Sequence, residues 1–411
     1  MYAILLPMKK ISDALSFVKK HGFYPHAPVV SSPHAPILEV NGKKVLMFAT
    51  NNYLDLMTDP RVIEAAVQGV KKWGIGNGSA RLLTGNLEIH NQLEEKIAAF
   101  KHREAAVSFV SGYMANSGTI PALVNVPKLS LLSLFSDKIA KDKDTIVFSD
   151  EYNHASIIAG VRMSGAQKEI YKHLDAADLE DKLKKYPKSH RKIIATDGVF
   201  SMDGDIAPLP AILELAKKYS AIVYLDDAHG TGILGPHGRG VEDYYGVEGQ
   251  VDVIMGTFTK CFGGVGGFIT ASKDVIDYLK MTADSFIFTA PIAPPVVCGL
   301  IKSIEIATEE TWRREAVLRN AQYLKEKLEE IGINYLNSKT QIIPIFIGNE
   351  SKAMEASREL LERGIFIPAA RWPAVPKGSA RLRTTVSTAH TKEQVDLLIE
   401  TLKIVKKEVG F

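Results

Sequence analysis

Five short apolar runs, separated by helix-like segments, restrict this chain more than any other feature. They are "AAVSFV", "TIVFS", "KIIATD", "AIVYLD" and "VDVIMG", all between about residue 100 and residue 270. None alternates polar with apolar residues, so each reads as a strand covered on both faces. "DLEDKLKKY" and "LPAILELAKKYS", which lie between them, read as helices. Strands that alternate with helices are joined by crossovers, and crossovers make parallel pairs. The expected class is α/β, with a mainly parallel sheet flanked by helices.

The chain changes character after about residue 335. "QIIPIFIG", "IFIPA" and "RLRTTVS" read as strands, and "SKAMEASRELLERG" as a helix closed by Gly364. "HTKEQVDLLIETLKIV" opens with Thr391 and Gln394 as a capping box, and Val395, Leu398, Ile399 and Leu402 make one apolar face. We therefore expect an N-terminal segment over 1–50, a large α/β domain over 51–300 and a small α+β domain over 301–411.

Several function classes are excluded early. Lys plus Arg is 50 against 47 for Asp plus Glu, with no basic run, so nucleic acid is not an expected partner. Two cysteines, Cys261 and Cys298, are too few for a disulfide framework, and no metal-ligand spacing is present. "MYAILLPMKK" is a poor signal peptide, and the three prolines of "SFIFTAPIAPPVVCGLI" make it a poor spanning helix. A cytoplasmic protein with no membrane span is the expectation.

Open parallel sheets bind ligands outside the carboxyl ends of their strands. Ser111, Gly112 and Tyr113 follow the first run, and His154 follows the second. Ser201 follows the third, and Asp226 and His229 end the fourth. Thr257 and Lys260 follow the fifth. Singly, each has a bland reading as a cap, a turn residue or a loop histidine. Their convergence on one rim is harder to explain by folding alone.

The chemistry of this set is narrow. "GGVGG" does not fit GxGxxG, because Ile269 stands where the last glycine belongs, and Lys260 precedes the glycines instead of following them as in a P-loop. An amine, a carboxylate, imidazoles and hydroxyls suit pyridoxal phosphate. Lysine can form a Schiff base with the aldehyde, and a carboxylate can keep the pyridine nitrogen protonated. The glycines are expected to let the backbone pass close to the lysine. Cys261 reads as a small buried thiol, not a redox group.

"NNYLDL", "SGYMAN", "SDEYNHAS", "TDGVFSMDGD", "LDDAHGTGILG", "GTFTKCFGGVGG" and "ARLRTTVSTAHT" occur in this order from about residue 48 to the last helix. In these motifs the chain resembles the α-oxoamine synthases, a family of fold type I pyridoxal phosphate enzymes. The resemblance implies that Lys260 is the Schiff-base lysine and later proton carrier, and that Asp226 partners the pyridine nitrogen. It implies that His229 and Ser201 bond the ring's phenolic oxygen and that His154 stacks on the ring. Ser111, Gly112, Tyr113 and Thr257 fall at the phosphate, with Thr289 reaching it across a homodimer interface. Arg383 matches the arginine for the substrate carboxylate, assisted by Asn51. Arg381 shares a strand face with Arg383, so periodicity alone leaves both open.

The implied reaction joins a small amino acid (glycine, alanine or serine) to an acyl-CoA. CoA and carbon dioxide leave, and an α-amino ketone remains. "ARWPAVPKG" is similar to the 8-amino-7-oxononanoate synthase and 2-amino-3-ketobutyrate CoA ligase branches without equalling either. Residues 126–144, "VPKLSLLSLFSDKIAKDKD", are longer than the family pattern and are placed near the acyl-CoA entrance. An aminotransferase would share the lysine, the aspartate and the sheet, but would convert the cofactor with an amino acid alone.

Overall fold

The computed structural model describes residues 2–20, 24, 27–126 and 144–411. Most of the long segment at 126–144 lies outside these residues. A seven-stranded sheet forms the centre. From one edge to the other its strands are Ala105–Phe109, Gly267–Ala271, Val253–Thr257, Ala221–Asp226, Arg191–Asp197, Thr145–Asp150 and Gln167–Tyr171. Of these seven, only Gly267–Ala271 runs against the direction of the other six. The sheet is therefore mainly parallel with helices on both sides, as the alternation required.

Successive residues of the inner strands enter opposite cores. Ile194, Leu225 and Ile254 join one cluster, and Ile193, Tyr224 and Met255 join the other. All six are buried, which explains why these strands carry no polar alternation. Two strands escaped the sequence reading. Gln167–Tyr171 is an edge strand with mostly exposed, polar residues, so it has no apolar run to find. Gly267–Ala271 follows a glycine-rich turn that masks where extended structure begins.

Both ends of the chain build the second unit. Ile342–Gly348 and Ala380–Thr385 pair antiparallel, and Ala369–Ala370 adds to the edge. Ile365–Phe366, by contrast, pairs with the N-terminal strand Lys43–Met47. Leu46 and Phe48 accordingly enter the same core as Val395, Leu398, Ile399 and Leu402 of the last helix. That helix, Lys392–Val409, starts with the expected box: Thr391 Oγ1 accepts from Gln394 N, and Thr391 N donates to Gln394 Oε1. His390 belongs to this packing, with Nε2 2.8 Å from the Met47 carbonyl, and burial pushes its pKa down to about 4. Among the described residues no helix is long and apolar enough to cross a membrane.

Candidate active site

Parallel register places Asp197 directly beside Asp226, and Asp226 beside Met255, at the carboxyl ends of three adjacent strands. Above them is a cavity of about 200 Å³. Gly112, Tyr113, His154, Ser201, Asp226, His229, Thr257 and Lys260 all line it. Residues from positions 112 to 260 thus converge because each ends, or closely follows, a strand of one sheet.

Lys260 sits in the turn after Val253–Thr257, where its carbonyl accepts from Gly263 N at 3.1 Å. Burial lowers its pKa to about 8, and the Arg383 charge acts in the same direction against Asp226 and Asp197. An amine so placed is a usable base near neutral pH. The glycines after it do more than clear space. A Cβ on Gly263 would stand 2.6 Å from Met57 N, and one on Gly267 would stand 2.6 Å from Gly112 Cα. They let the lysine turn dock on the 56–57 backbone and on the start of the helix Gly112–Val124. Cys261 is fully buried, and burial pushes its thiol up to about 12, so it stays a packed thiol.

Asp226 is tightly held. Its Oδ2 accepts from Asn116 Nδ2 at 2.7 Å, and its Oδ1 from Ala228 N at 3.1 Å. Asn116 also donates to Ser156 Oγ at 2.8 Å and accepts from the Tyr224 hydroxyl at 2.6 Å. Ser156 Oγ lies 2.6 Å from His154 Nδ1. One amide therefore couples the carboxylate to the histidine wall. Asn116 lies in "SGYMAN", where it reads as an ordinary helix residue; four residues after Gly112 on the helix, it shares that residue's face.

Asp197 was also missed. Burial raises its pKa well above the usual carboxylate range, and the Asp226 charge adds to the effect. Its Oδ2 accepts from His154 N at 3.1 Å, while Oδ1 is buried without a protein partner. His229 is held by Tyr53, whose hydroxyl is 2.8 Å from Nδ1. Burial, with Lys260 and Arg383 nearby, pushes the His229 pKa well below its ordinary value. His154 is lowered by burial too, although its residue surface is open to the cavity mouth.

The donor set fits pyridoxal phosphate. First-turn amides at Gly112 and Tyr113 line the cavity and suit an anion, and Thr257 lines it too, its Oγ1 donating to Gly266 O at 2.8 Å in this structure. Asp226 and Asp197, whose Oδ1 is unpartnered, line the same cavity. Ser111 caps the helix, its Oγ accepting from Met114 N at 3.1 Å, so its side chain is committed locally. Thr289 does not line this cavity; its hydroxyl donates to Ser285 O at 2.8 Å. Arg383 lines a larger neighbouring cavity of about 910 Å³, and Asn51 Oδ1 is 3.4 Å from its Nη2. Arg381 is 3% exposed and pairs with Asp203.

Comparison with known proteins agrees with this chemistry. Residues 43–402 match the family model for aminotransferase class I and II. The chain is 46% identical over 396 residues to an 8-amino-7-oxononanoate synthase of Lysinibacillus sphaericus, covering 96% of this chain and 97% of that one. It is 42% identical over 393 residues to the enzyme of the same name from Thermosipho melanesiensis, covering 96% of each. Among solved structures, serine palmitoyltransferase from S. paucimobilis superposes with a TM-score of 0.89 at 30% identity over 99% of both chains. An 8-amino-7-oxononanoate synthase from Francisella tularensis gives 0.73 at 26% identity, over 89% of this chain and 98% of that one. With a fold type I architecture, a buried low-pKa lysine beside a fixed aspartate, and relatives of this kind along its length, the chain belongs to the α-oxoamine synthase family of pyridoxal-phosphate-dependent enzymes.

Proposed function

We propose that this enzyme makes 8-amino-7-oxononanoate. The observation that carries the reading is the shared name of relatives 42% and 46% identical along nearly the whole chain. Cut at the bond a decarboxylative condensation forms, that product comes from alanine and a seven-carbon acyl thioester with a distal carboxylate. The 910 Å³ cavity beside Arg383 supports this substrate class. Pro368, Ala369, Ala370 and Trp372 give it apolar lining, and Arg371 and Lys377 add two cations against the one carboxylate of Glu350. Similarity of fold to serine palmitoyltransferase does not select the acyl chain.

Bound pyridoxal phosphate supplies an electron sink for the carbanion formed at the amino acid's Cα. Gly112, Tyr113 and Thr257 would hold its phosphate, Ser201 and His229 its phenolic oxygen, and His154 one ring face. Asp226 would keep the ring nitrogen protonated. Arg383 takes the amino acid carboxylate, with Asn51 beside it. Lys260 removes the Cα proton, and its pKa of about 8 leaves a useful neutral fraction at working pH. We further propose a cytoplasmic homodimer. Ile63, Val67 and Val70 are exposed on one face of the helix Pro60–Trp73, and Phe288 is 77% exposed next to Thr289. A second copy would cover these side chains and let Thr289 serve the partner's phosphate site. The unpaired cysteines fit a reducing compartment.

The test is a thiol-release assay crossing glycine, alanine and serine with acyl-CoA thioesters of graded length, with and without a distal carboxylate. Alanine with the seven-carbon dicarboxylic thioester is expected to win by about tenfold or more in kcat/KM. Preference for serine with a long unsubstituted chain would replace the reading. Conversion of the cofactor by an amino acid alone, with no thiol released, would point to transamination.

Asp226→Asn provides a second check. The amide keeps the Asn116 contact but cannot hold the ring nitrogen's proton as a carboxylate does. We expect kcat to fall by about 100-fold or more, with little change in KM. A variant with unchanged kcat would remove Asp226 from this role.

A further inference from the structure

We propose that His173 is a positioning residue that clamps together the two loops carrying His154 and Ser201. It lies just beyond the edge strand Gln167–Tyr171 and lines none of the cavities described above. Its Nδ1 is 3.0 Å from Asp150 Oδ1, and its Nε2 is 3.0 Å from Asp205 Oδ2. Asp150 ends the strand that leads into His154. Asp205 lies in the loop closed by the bridge between Val199 and Ile206, which carries Ser201. The ring touches both loops as well: Tyr152 stacks on it at 4.4 Å, and Phe200 meets it edge-on at 4.4 Å.

Both ring nitrogens face carboxylates, so both must donate. Only the imidazolium can do this; a neutral ring would set a lone pair against one carboxylate. Burial pulls the His173 pKa down, but the bonds to Asp150 and Asp205 outweigh it and push the pKa up to about 10. The charged groups around the ring are Asp150 and Glu151 from one loop and Asp205 from the other, with Tyr152 stacked above. Because the folded pKa is raised, the clamp's stabilising effect is complete below the ordinary histidine value and is lost only as pH rises through about 10. Near neutral pH it is a fixed strut.

The clamp reaches the site from outside. Asp150 Oδ1 also accepts from Tyr152 N at 2.9 Å, which sets the turn that leads to His154. The Ser201 carbonyl accepts from Arg383 Nε at 2.7 Å, so a shift of that loop moves the guanidinium too. The inference rests on His154 and Ser201 flanking the cofactor, and is independent of which acyl chain is used.

The experiment compares His173→Gln with the double variant His173→Gln/Asp205→Asn in the holoenzyme. Glutamine can donate to Asp150 but turns its oxygen toward Asp205, and the added Asp205→Asn change restores a donor there. We expect H173Q to lower kcat/KM for the amino acid by about tenfold, to shift the bound cofactor's absorption band, and to lower the melting temperature, because it leaves the Asp205 carboxylate without its cation. The double variant should recover to within about threefold of the parent. Unchanged kcat/KM and spectrum in H173Q would overturn the clamp, as would equal impairment in both variants. If H173Q does not fold, Asp205→Asn alone decides. It leaves one carboxylate on the ring, so the cofactor band should gain a pH transition between about 6 and 9 that the parent lacks. No new transition would overturn the proposal. A shifted spectrum with a different preferred acyl-CoA would refute the substrate reading and leave the clamp standing.

Discussion

Lys260→Ala is expected to lower turnover by about three to four orders of magnitude and to remove the covalent hold on the cofactor. Among the described residues, no other lysine lines the cavity to take over. Arg383, whose charge helps lower the Lys260 pKa, cannot serve as a base because an arginine stays protonated. Lys101, though buried, is committed to Asp227 Oδ2 at 2.8 Å and to Thr231 Oγ1 at 3.2 Å. Borohydride reduction and digestion of the native enzyme should place the pyridoxyl group on the Lys260 peptide. A pyridoxyl group found on any other lysine would contradict the assignment.

The same lysine carries a stability signature in the cofactor-free protein. Its folded pKa of about 8 lies below the ordinary 10.5. The unfolded chain therefore binds more protons between those values, and stability rises with pH across that window. Below about 8 the full penalty of the buried amine is present, about 3 kcal/mol. Lys260→Met keeps the volume and removes the charge. Its cofactor-free form should melt higher than the parent at pH 7, and the gap should close toward pH 10. A gap of the same size at both values would mean that the buried amine is not its source. Loss of activity with gain of stability is the pattern of a group held in place for chemistry.

The parts of this molecule that sequence reveals are those with a local signal. Val107, Ile194 and Leu225 lie in strands sealed on both faces, so burial itself wrote the apolar runs. Polar residues at the ends of those runs, such as His154 and Lys260, then mark the binding rim. What stayed hidden depends on register or on contact between distant segments. Asp197 faces Asp226 only because two strands align residue for residue. Tyr53 reaches His229 across 176 positions. His173 follows a polar edge strand and meets two carboxylates from separate loops, a relation no spacing rule contains. The glycines after Lys260 were expected to let the backbone pass close to the lysine. That Gly263 packs on the Met57 backbone and Gly267 on Gly112 requires knowing what lies opposite them.

Two arginines on one strand face were indistinguishable by alternation, and their surroundings now predict opposite phenotypes. Arg381 is fully engaged: Nε donates to Ser379 O at 3.0 Å, and Nη1 donates to Met202 O at 3.3 Å and to Asp203. Removing it strands the Asp203 carboxylate. Arg381→Ala should cost about 3 kcal/mol of stability, seen as a lower melting temperature, with KM for the amino acid changed far less. Arg383 holds the Ser201 carbonyl at 2.7 Å, a long contact to Asn51 at 3.4 Å and the Tyr53 hydroxyl, and it lines the 910 Å³ cavity. Its fork is available to pair with a carboxylate in two parallel bonds. Arg383→Ala should raise KM for the amino acid by about 100-fold, and Arg383→Lys should recover little of it, because an ammonium cannot reproduce the fork. The melting temperature should move by only a few degrees. Steady-state kinetics and melting curves on the three variants separate the roles. A large KM rise in Arg381→Ala, with Arg383→Ala binding the amino acid normally, would transfer the carboxylate site to Arg381 and require the Asp203 pair to open on binding.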